Sequence, residues 1–370
     1  MDKLPGAWPV GLRIMDGTRR DTPKSVLLTR LSAIGDCILT IPLAVEIKRL
    51  WPHCTLTWIV DCAAASLLES HPAVDEVIRI PKQWLKSPTE WSSLRQELRA
   101  REFDFTFDPQ GLSKSATLGW LSGARRRIGF DYSHARELAP LLATRRIRRT
   151  ARHMVDTYRQ LLSPWTPIEM GQGSFDMPVY RDAALQVEEL LDSLEWNAWD
   201  RHNWVAINPG AGWPTKTWPV QRFGMLAREL HREYGRRSIV LWAGEDELLK
   251  AKVIEEESRG AAFVAPATDL PQALEVIRRS SLLVTADTGP LHMASAVGTP
   301  CVSLHGPTWA DESGPYGNRH IAIQSPLLPH PKKVARRGHN VAMQAIELDD
   351  VFHACGQLLT KQAISHRLIA

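Results

Sequence analysis

One strand-to-helix junction carries an acidic residue, a hydroxyl, a glycine and a proline in the segment Asp287-Thr288-Gly289-Pro290-Leu291-His292. It follows an apolar run, Leu282–Val284, that is typical of a buried strand. The start of a helix exposes unpaired N–H groups and the positive end of the helix dipole. Gly289 lets a ligand approach the backbone, and Pro290 suits the first helical turn. The segment indicates a phosphate-binding site at the carboxyl end of a strand, although an ordinary capped helix shares these features.

A glycine-rich loop nearer the amino terminus carries a lysine that could meet the same anion. The run Gly210-Ala211-Gly212 follows a predicted strand and is small enough for backbone N–H groups to approach a phosphate. Lys216 adds a compact positive charge. Most lysines are solvated, but two prolines and two tryptophans stiffen this loop and favour a directed role. Trp213 and Trp218 either line a sugar pocket or pack the loop, and packing is the slightly favoured interpretation.

Asp36 follows the first predicted strand, at the end of Leu31-Ser32-Ala33-Ile34-Gly35-Asp36. The segment lacks the G-x-G-x-x-G pattern, which argues against a nicotinamide or flavin enzyme. One interpretation makes Asp36 the N-cap of the following helix, and position rules favour it. The other points its carboxylate into a cleft as a general base.

Glu245 ends a third strand-to-helix junction, Trp242-Ala243-Gly244-Glu245-Asp246-Glu247. A carboxylate at this position can accept two hydrogen bonds from a ribose diol. Acidic residues at a helix start also interact favourably with the helix dipole, and Asp246 and Glu247 are assigned to that role. Glu245 is nearest the strand and is therefore the predicted ribose ligand.

Composition sets outer limits on the class of protein. The chain has 370 residues, enough for two domains, with 44% hydrophobic and 23% charged residues and a formal net charge of +4. This charge gives no strong nucleic-acid signal. Five scattered cysteines without a C-x-x-C pair indicate reduced thiols and no metal site. No apolar run is long enough to span a bilayer, and residues 1–22 resemble a loose extension rather than a secretory signal, so we expect a cytoplasmic protein.

Predicted strands and helices alternate along most of the chain, which indicates parallel sheets with crossover helices. A stretch rich in proline and glycine, Ser163–Met177, interrupts the alternation. We therefore predict an α/β protein with two doubly wound, Rossmann-like domains, 23–170 and 175–345, that face each other across a cleft, followed by a helix over 346–370. Residues 308–345 are predicted to be irregular. The cleft is the expected ligand site.

These motifs together resemble glycosyltransferase family nine, the bacterial lipopolysaccharide heptosyltransferases. Any one motif is weak, but the ordered set from about Ser25 to Gln324 is specific. The matching segments are Leu31-Ser32-Ala33-Ile34-Gly35-Asp36, His153-Met154-Val155-Asp156, Asn208-Pro209-Gly210-Ala211 with Lys216-Thr217-Trp218-Pro219, Ala243-Gly244-Glu245, and Asp287-Thr288-Gly289-Pro290-Leu291-His292.

The resemblance implies the GT-B fold and transfer of a heptose from an ADP-sugar, with inversion and without a metal or other cofactor. It implies that Asp36 is the catalytic base, that Lys216 lies by the donor phosphates, that Glu245 holds the ribose and that Asp287–His292 cradles the pyrophosphate. One departure concerns the loop before the lysine. The best-known members have hydroxyl side chains where this chain has Ala211 and Gly212, so backbone groups must replace them.

Arginines cluster in the first predicted domain. They are Arg125, Arg126 and Arg127, and then Arg145, Arg146, Arg148, Arg149 and Arg152. A solvated face accounts for about half of them. An anionic, lipid-linked glycan at the cytoplasmic face of the inner membrane would account for the rest, with Arg125–Arg127 as acceptor ligands and the protein peripheral to that membrane. No nucleic-acid module accompanies the clusters.

The sequence also allows two alternatives to a heptosyltransferase. Because fold does not fix function, another nucleotide-sugar transferase or an epimerase could use the same two domains. A non-catalytic nucleotide-sugar-binding protein is the second alternative. The presence of both Asp36 and Lys216 argues against it.

Overall fold

The computed structural model of the chain describes residues 22–194, 196–327, 336 and 338–369. The predicted extension therefore lies outside the described residues, apart from its last residue. The strands in the described ranges, β1 to β12, are Ser25–Thr29, Thr55–Val60, Glu76–Arg79, Phe105–Asp108, Arg126–Phe130, Arg145–Ile147, Val205–Asn208, Ser238–Val240, Ala262–Val264, Leu282–Ala286, Cys301–His305 and Ile321–Gln324.

The helices alternate with the strands. In the described ranges they are α1 to α15: Ile34–Leu50, Ala65–Leu68, Pro88–Ala100, Ser113–Leu121, Ala139–Leu142, Met154–Arg159, Arg181–Ser193, Ala198–His202, Val220–Tyr234, Glu245–Ser258, Leu270–Arg279, Gly289–Val297, Ala310–Ser313, Val341–Gln344 and Leu348–Ile369. None of these helices has the length and apolar character needed to cross a membrane.

The strands form two parallel six-stranded sheets with the same order. The first sheet runs β3-β2-β1-β4-β5-β6, and the second runs β9-β8-β7-β10-β11-β12. In each sheet the order reverses between the two central strands, β1 and β4 or β7 and β10. Open α/β sheets bind ligands at such a switch point, beyond the carboxyl ends of the strands. The predicted pair of doubly wound sheets is confirmed.

Both faces of the central strands are covered, as parallel sheets require. Along β1, Val26 and Leu28 belong to an apolar cluster that also contains much of α1. Leu27, on the opposite face, packs in a second cluster with Leu98 and Leu118 of α3 and α4. This alternation explains why β1 is apolar at consecutive positions and was predictable from its sequence.

Several short elements differ from the prediction. Strands β5 and β6 were not predicted, because each begins with arginines and lacks an apolar run. In the structure, aromatic rings and backbone carbonyl groups stabilise these arginine side chains. Residues 308–345 were predicted to be irregular, but β12 forms there as the edge strand beside β11. Its register pairs Leu304 with Ile323. Because an edge strand is only partly buried, its apolar pattern is too short to stand out.

Direct contacts join the two sheets. Helix α1 of the first half packs on α12 of the second, and the apolar cluster around α1 includes Leu291 and Met293. On another side, the Tyr180 hydroxyl donates to the carbonyl of Leu67 at 2.6 Å. The carboxyl edges of the two sheets thus meet across a cleft that begins at the starts of α1 and α12.

Candidate active site

A cavity of about 540 Å³ lies between the carboxyl edges of the two sheets. From the first sheet it is lined by the start of α1, including Asp36. From the second sheet it is lined by the loops after β7, β8 and β10. The predicted donor-binding residues that line it are Ala211, Lys216, Asp287, Thr288, Gly289, Pro290 and His292. Its size and its place at both switch points are those of a small-molecule site.

Gly35 brings the two halves of the cavity together. A Cβ atom on Gly35 would lie 2.5 Å from Cδ2 of His292 and 3.6 Å from Cα of Gly289. The first turn of α1 can therefore rest directly on the first turn of α12 only because this position has no side chain. This contact places Asp36, one residue later, beside the predicted phosphate-binding segment.

Asp36 occupies the third position of α1, and the N-cap is Ala33. The N-cap interpretation of Asp36 is therefore wrong. The Asp36 carboxylate accepts a weak hydrogen bond from the Ala33 N–H at 3.4 Å and pairs with Nη2 of Arg30 at 2.6 Å. Its side chain is 41% exposed, whereas that of Arg30 is 6% exposed. The buried arginine thus holds a carboxylate that remains open to the cavity.

Lys216 forms the most buried ion pair of the cavity, with Asp287. Its Nζ donates to Oδ2 of Asp287 at 2.5 Å and to the Asp287 carbonyl at 3.2 Å. The two side chains are 9% and 6% exposed. Nζ also lies 4.2 Å from the ring centroid of Trp213, a cation–π contact. Because an ammonium has three N–H donors, Lys216 can hold Asp287 and still donate to a ligand.

The surroundings of Asp287 fix its charge and that of its neighbours. Burial acts to raise the pKa of Asp287, but the charge of Lys216 outweighs it and the pKa falls to about 2. Burial lowers the pKa of both His292 and His305 to about 4. At neutral pH the lysine is therefore paired with one carboxylate, and the two imidazoles are uncharged.

The start of α12 faces the cavity, which Thr288, Gly289 and Pro290 line. Thr288 is the N-cap, and its hydroxyl makes no capping hydrogen bond. Gly289 and Pro290 form the first turn, in which Pro290 needs no partner for an N–H group. Leu291 is fully buried and points to the core rather than the cavity. The Thr288 hydroxyl and the helix start can together receive a phosphate.

The acidic junction after β8 places a different glutamate at the cavity from the one predicted. Glu245 begins α10 and is exposed, outside the cavity lining. Glu247 lines the cavity and accepts from the Ala243 N–H at 2.8 Å, and burial raises its pKa. A Cβ on Gly210 would lie 2.3 Å from a carboxylate oxygen of Glu247. Gly210 therefore makes room for Glu247 rather than lining the cavity itself.

The two tryptophans beside Lys216 have separate roles. Trp213 lines the cavity below the lysine ammonium. Trp218 is fully buried, packs edge-on against Phe223 and donates its indole N–H to the carbonyl of Ile346 at 2.9 Å. The packing interpretation thus holds for Trp218 only.

The structure does not bring Arg125, Arg126 and Arg127 to the cavity. They stand at the amino end of β5, at the opposite edge of the sheet from Asp36. Arg126 lies over the ring of Phe105. The Arg127 guanidinium donates to the carbonyls of Leu142 and Ala124, both at 2.8 Å.

The later arginines are largely engaged in packing and in contacts between the halves. Arg145 lies over Trp165, and Arg146 donates to the carbonyl of Pro140. Arg149 lies 3.8 Å from the Glu312 carboxylate, and Arg152 pairs with Asp311. Arg148 is exposed.

A group of contacts beside these arginines, which we name the clasp, joins α6 to residues 311–316. His153 Nε2 lies 3.0 Å from the Gly314 carbonyl oxygen. The Tyr316 hydroxyl donates to Asp156 at 2.7 Å and accepts from the Gly173 N–H at 2.9 Å. The predicted His153–Asp156 motif thus has a structural place between the two halves.

Sequence reasoning missed a basic group at the first switch point. Lys114 follows β4, and its Nζ donates to Oδ2 of Asp61 at 2.6 Å. The Asp61 side chain is only 5% exposed, and its other oxygen has no partner within the described residues. The signal was present, because Gln110-Gly111-Leu112-Ser113-Lys114 repeats the pattern of a strand end, a glycine and a basic residue.

Comparisons with known proteins agree with this geometry. The family described as glycosyltransferase family 9 (heptosyltransferase) matches residues 91–340. The chain is 30% identical to lipopolysaccharide heptosyltransferase 1 of Pseudomonas aeruginosa over 325 residues, which cover 83% of this chain and 86% of that protein.

Solved structures show the same fold. The Escherichia coli heptosyltransferase WaaC with ADP superposes with a TM-score of 0.73 at 23% identity, over 90% of this chain and 99% of that one. The family 9 glycosyltransferase of Veillonella parvula gives a TM-score of 0.76 at 23% identity, over 91% and 97%. The predicted GT-B architecture is confirmed. The chain belongs to glycosyltransferase family 9 and is a glycosyltransferase.

Proposed function

We propose that the protein transfers a heptose, with inversion, from ADP-heptose to a lipid-linked acceptor of the lipopolysaccharide inner core. The observation that carries this proposal is the contact of Gly35 with His292 and Gly289, which sets an exposed carboxylate beside a helix start and a buried lysine. Inverting transfer needs one base on the acceptor side and positive charge on the leaving-group side. The two halves of the cavity provide one each.

Asp36 is the proposed general base. Its carboxylate lines the cavity and is 41% exposed, so an acceptor hydroxyl can reach it. Arg30 fixes the orientation of this carboxylate through an ion pair at 2.6 Å. Base catalysis of this kind contributes roughly 10²–10⁴-fold.

The diphosphate of the donor is proposed to lie between Lys216 and the start of α12. Lys216 is held by Asp287 and Trp213, so little reorganisation is needed when negative charge develops on the leaving group. The Thr288 hydroxyl adds a hydrogen bond, and the positive end of the α12 dipole adds favourable charge. These groups supply the positive field without a metal, and turnover in excess EDTA tests that part of the proposal.

Glu247, rather than the exposed Glu245, is the proposed ribose ligand. Glu247 lines the cavity, its carboxylate lies against Gly210, and the backbone of Ala243 holds it. Contacts to ribose and phosphate do not distinguish one base from another. The choice of ADP is therefore supported by the family and by the WaaC structure with ADP.

The acceptor is proposed to enter over the carboxyl edge of the first sheet. Lys114 is a basic side chain placed there, whereas Arg125–Arg127 lie at the amino end of β5. We therefore move the proposed anion contact from those arginines to Lys114. A lipid-linked acceptor would bring the enzyme to the cytoplasmic face of the inner membrane as a peripheral protein.

The decisive experiment offers ADP-heptose, a UDP-hexose and a GDP-hexose separately, with and without an inner-core acceptor. We expect transfer from ADP-heptose alone, and NMR of the product should show an inverted anomeric configuration. Calorimetric titration should show tighter binding of ADP than of UDP or GDP. A preference for UDP would overturn the heptosyl donor, and an isomerised sugar formed without acceptor would favour an epimerase instead.

A further inference from the structure

Two cysteines meet directly behind the proposed base. Cys37 follows Asp36 in α1, and Cys62 follows β2, the neighbour of β1 in the sheet. Their sulfur atoms are 3.9 Å apart. The backbone ties the two segments together, because the Asp61 N–H donates to the Leu31 carbonyl at 3.0 Å. A disulfide would require the sulfurs to approach by about 1.9 Å, to about 2.05 Å.

We propose that Cys37 and Cys62 form a redox modification site, which low-molecular-weight disulfides oxidise to an internal disulfide that suppresses transfer. The pair is separate from the cavity lining, and the proposed reaction does not use either thiol.

Accessibility selects Cys62 as the cysteine that reacts first. All five cysteines lie in the described part of the chain, and Cys62 alone is not buried. The contact between the two thiols lowers the pKa of Cys62 to about 7. The same contact and burial raise the pKa of Cys37. Near neutral pH a substantial share of Cys62 is therefore the nucleophilic thiolate.

The chemistry proceeds in two exchanges. The Cys62 thiolate attacks one sulfur of the small disulfide, forms a mixed disulfide and releases one thiolate. That thiolate takes the proton of Cys37, and the Cys37 sulfur then attacks the sulfur of Cys62 and expels the second thiolate, which is protonated by water. Two protein thiols are oxidised, and one disulfide is reduced to two thiols. A dithiol such as dithiothreitol reverses both steps.

The effect on transfer follows from where Cys37 lies. Its backbone N–H makes the first hydrogen bond of α1, to the Ala33 carbonyl at 2.9 Å. Its thiol points at the carbonyl of Arg30, the residue that pairs with Asp36. Drawing Cys37 toward β2 therefore shifts the turn that holds the base. A displacement of about 1 Å from the productive geometry can cost ~10²-fold in rate.

The test incubates the full-length protein with oxidised glutathione, then measures single-turnover transfer and maps tryptic peptides without reduction. We expect a peptide containing Cys37 linked to one containing Cys62, a fall in rate of ~10²-fold, and recovery after dithiothreitol. Cys62→Ser should keep the starting rate and resist the oxidant. Peptide mapping does not depend on the substrate, so it tests the site even where the proposed donor is wrong.

Cys54→Ala is the matched control. Cys54 is buried, and trypsin leaves it on the same peptide as Cys62, so this variant both assigns the linkage and should stay fully sensitive. A glutathione adduct that persists on Cys62 without the internal disulfide would overturn the proposal. So would a complete disulfide that leaves the transfer rate unchanged.

Discussion

The two sheets have the same strand order, yet their switch points hold ion pairs of opposite character. In the first sheet the Asp36 side chain is 41% exposed and pairs with the buried Arg30. In the second, Lys216 and Asp287 are both less than one-tenth exposed. The exposed member of the first pair can change partners when an acceptor arrives. The second pair is fixed in place before a donor binds. Two sheets of the same architecture therefore supply one adaptable and one preorganised half-site.

Asp36→Asn tests the adaptable pair and should have the largest effect. The amide cannot take a proton, so single-turnover transfer should fall by roughly 10²–10⁴-fold while ADP affinity changes little. Because asparagine leaves the buried Arg30 without its charged partner, the melting temperature should fall as well, so the rate is measured at a temperature at which the variant is folded. Asp75→Asn, which removes an exposed carboxylate paired with Lys48 away from the cavity, is the control. A folded Asp36→Asn protein within a few-fold of wild type would mean that the base lies elsewhere.

Lys216→Met tests the preorganised pair. Removing one partner leaves Asp287 buried and unpaired, so the free energy of unfolding should drop by about 3–5 kcal/mol. Transfer should fall by ~10²-fold, since a donor to the leaving group is lost. Denaturant unfolding and single-turnover kinetics measure the two effects.

The double variant Lys216→Met/Asp287→Asn separates stability from chemistry. It removes the orphaned charge, so most of the lost stability should return, but transfer should remain low. If stability and transfer rate both recovered, the Lys216–Asp287 pair would only support the fold. The difference between the two switch points would then have no bearing on transfer.

Glu247→Gln should raise the KM for the donor by about tenfold, the equivalent of ~1.4 kcal/mol. Glu245→Gln is the matched variant, two residues away and exposed, and we expect it to be close to wild type. The reverse pattern would restore Glu245 as the ribose ligand and would show that the junction after β8 rearranges on binding.

The smallest effect is expected at Arg125, the exposed member of its cluster. Arg125→Ala should leave the acceptor KM within about twofold, since surface charges at a distance are screened over about 8 Å. Lys114→Ala should raise the acceptor KM by a larger factor than Arg125→Ala does. A higher salt concentration should weaken acceptor binding by the wild-type protein. If Arg125→Ala raised the acceptor KM and Lys114→Ala did not, the acceptor would instead bind at the amino ends of the strands of the first sheet.

The sequence predicted those parts of the molecule that have strong local signals. Inner strands such as β2 and β10 are largely apolar, and α11 carries a capping box from Asp269 to Gln272, so the positions of these elements could be predicted. The segments that form the site could also be predicted, because glycine, proline and charged residues directly follow predicted strands. The role of Asp36 depended on three-dimensional placement, since an N-cap and a third-position residue differ by one turn of geometry.

The remaining differences come from contacts between distant segments. Glu245 and Glu247 look alike in sequence, and the space beside Gly210 and the hydrogen bond from Ala243 place Glu247 at the cavity. The arginines of β5 appeared available for a ligand because their partners, Phe105 and the carbonyls of Ala124 and Leu142, are set by the sheet. Charge clustering alone therefore overstated the acceptor surface.

The clasp has a consequence for the cooperativity of the molecule. Its hydrogen bonds through Tyr316 and His153 connect the halves at buried and partly buried positions, and one apolar cluster runs from Trp58 in the first sheet to Ala206 in the second. Separating the halves would expose this surface, so neither is expected to melt alone. Calorimetry should record one unfolding transition. A fragment that ends between the two sheets should not fold as stably as that half does in the whole enzyme.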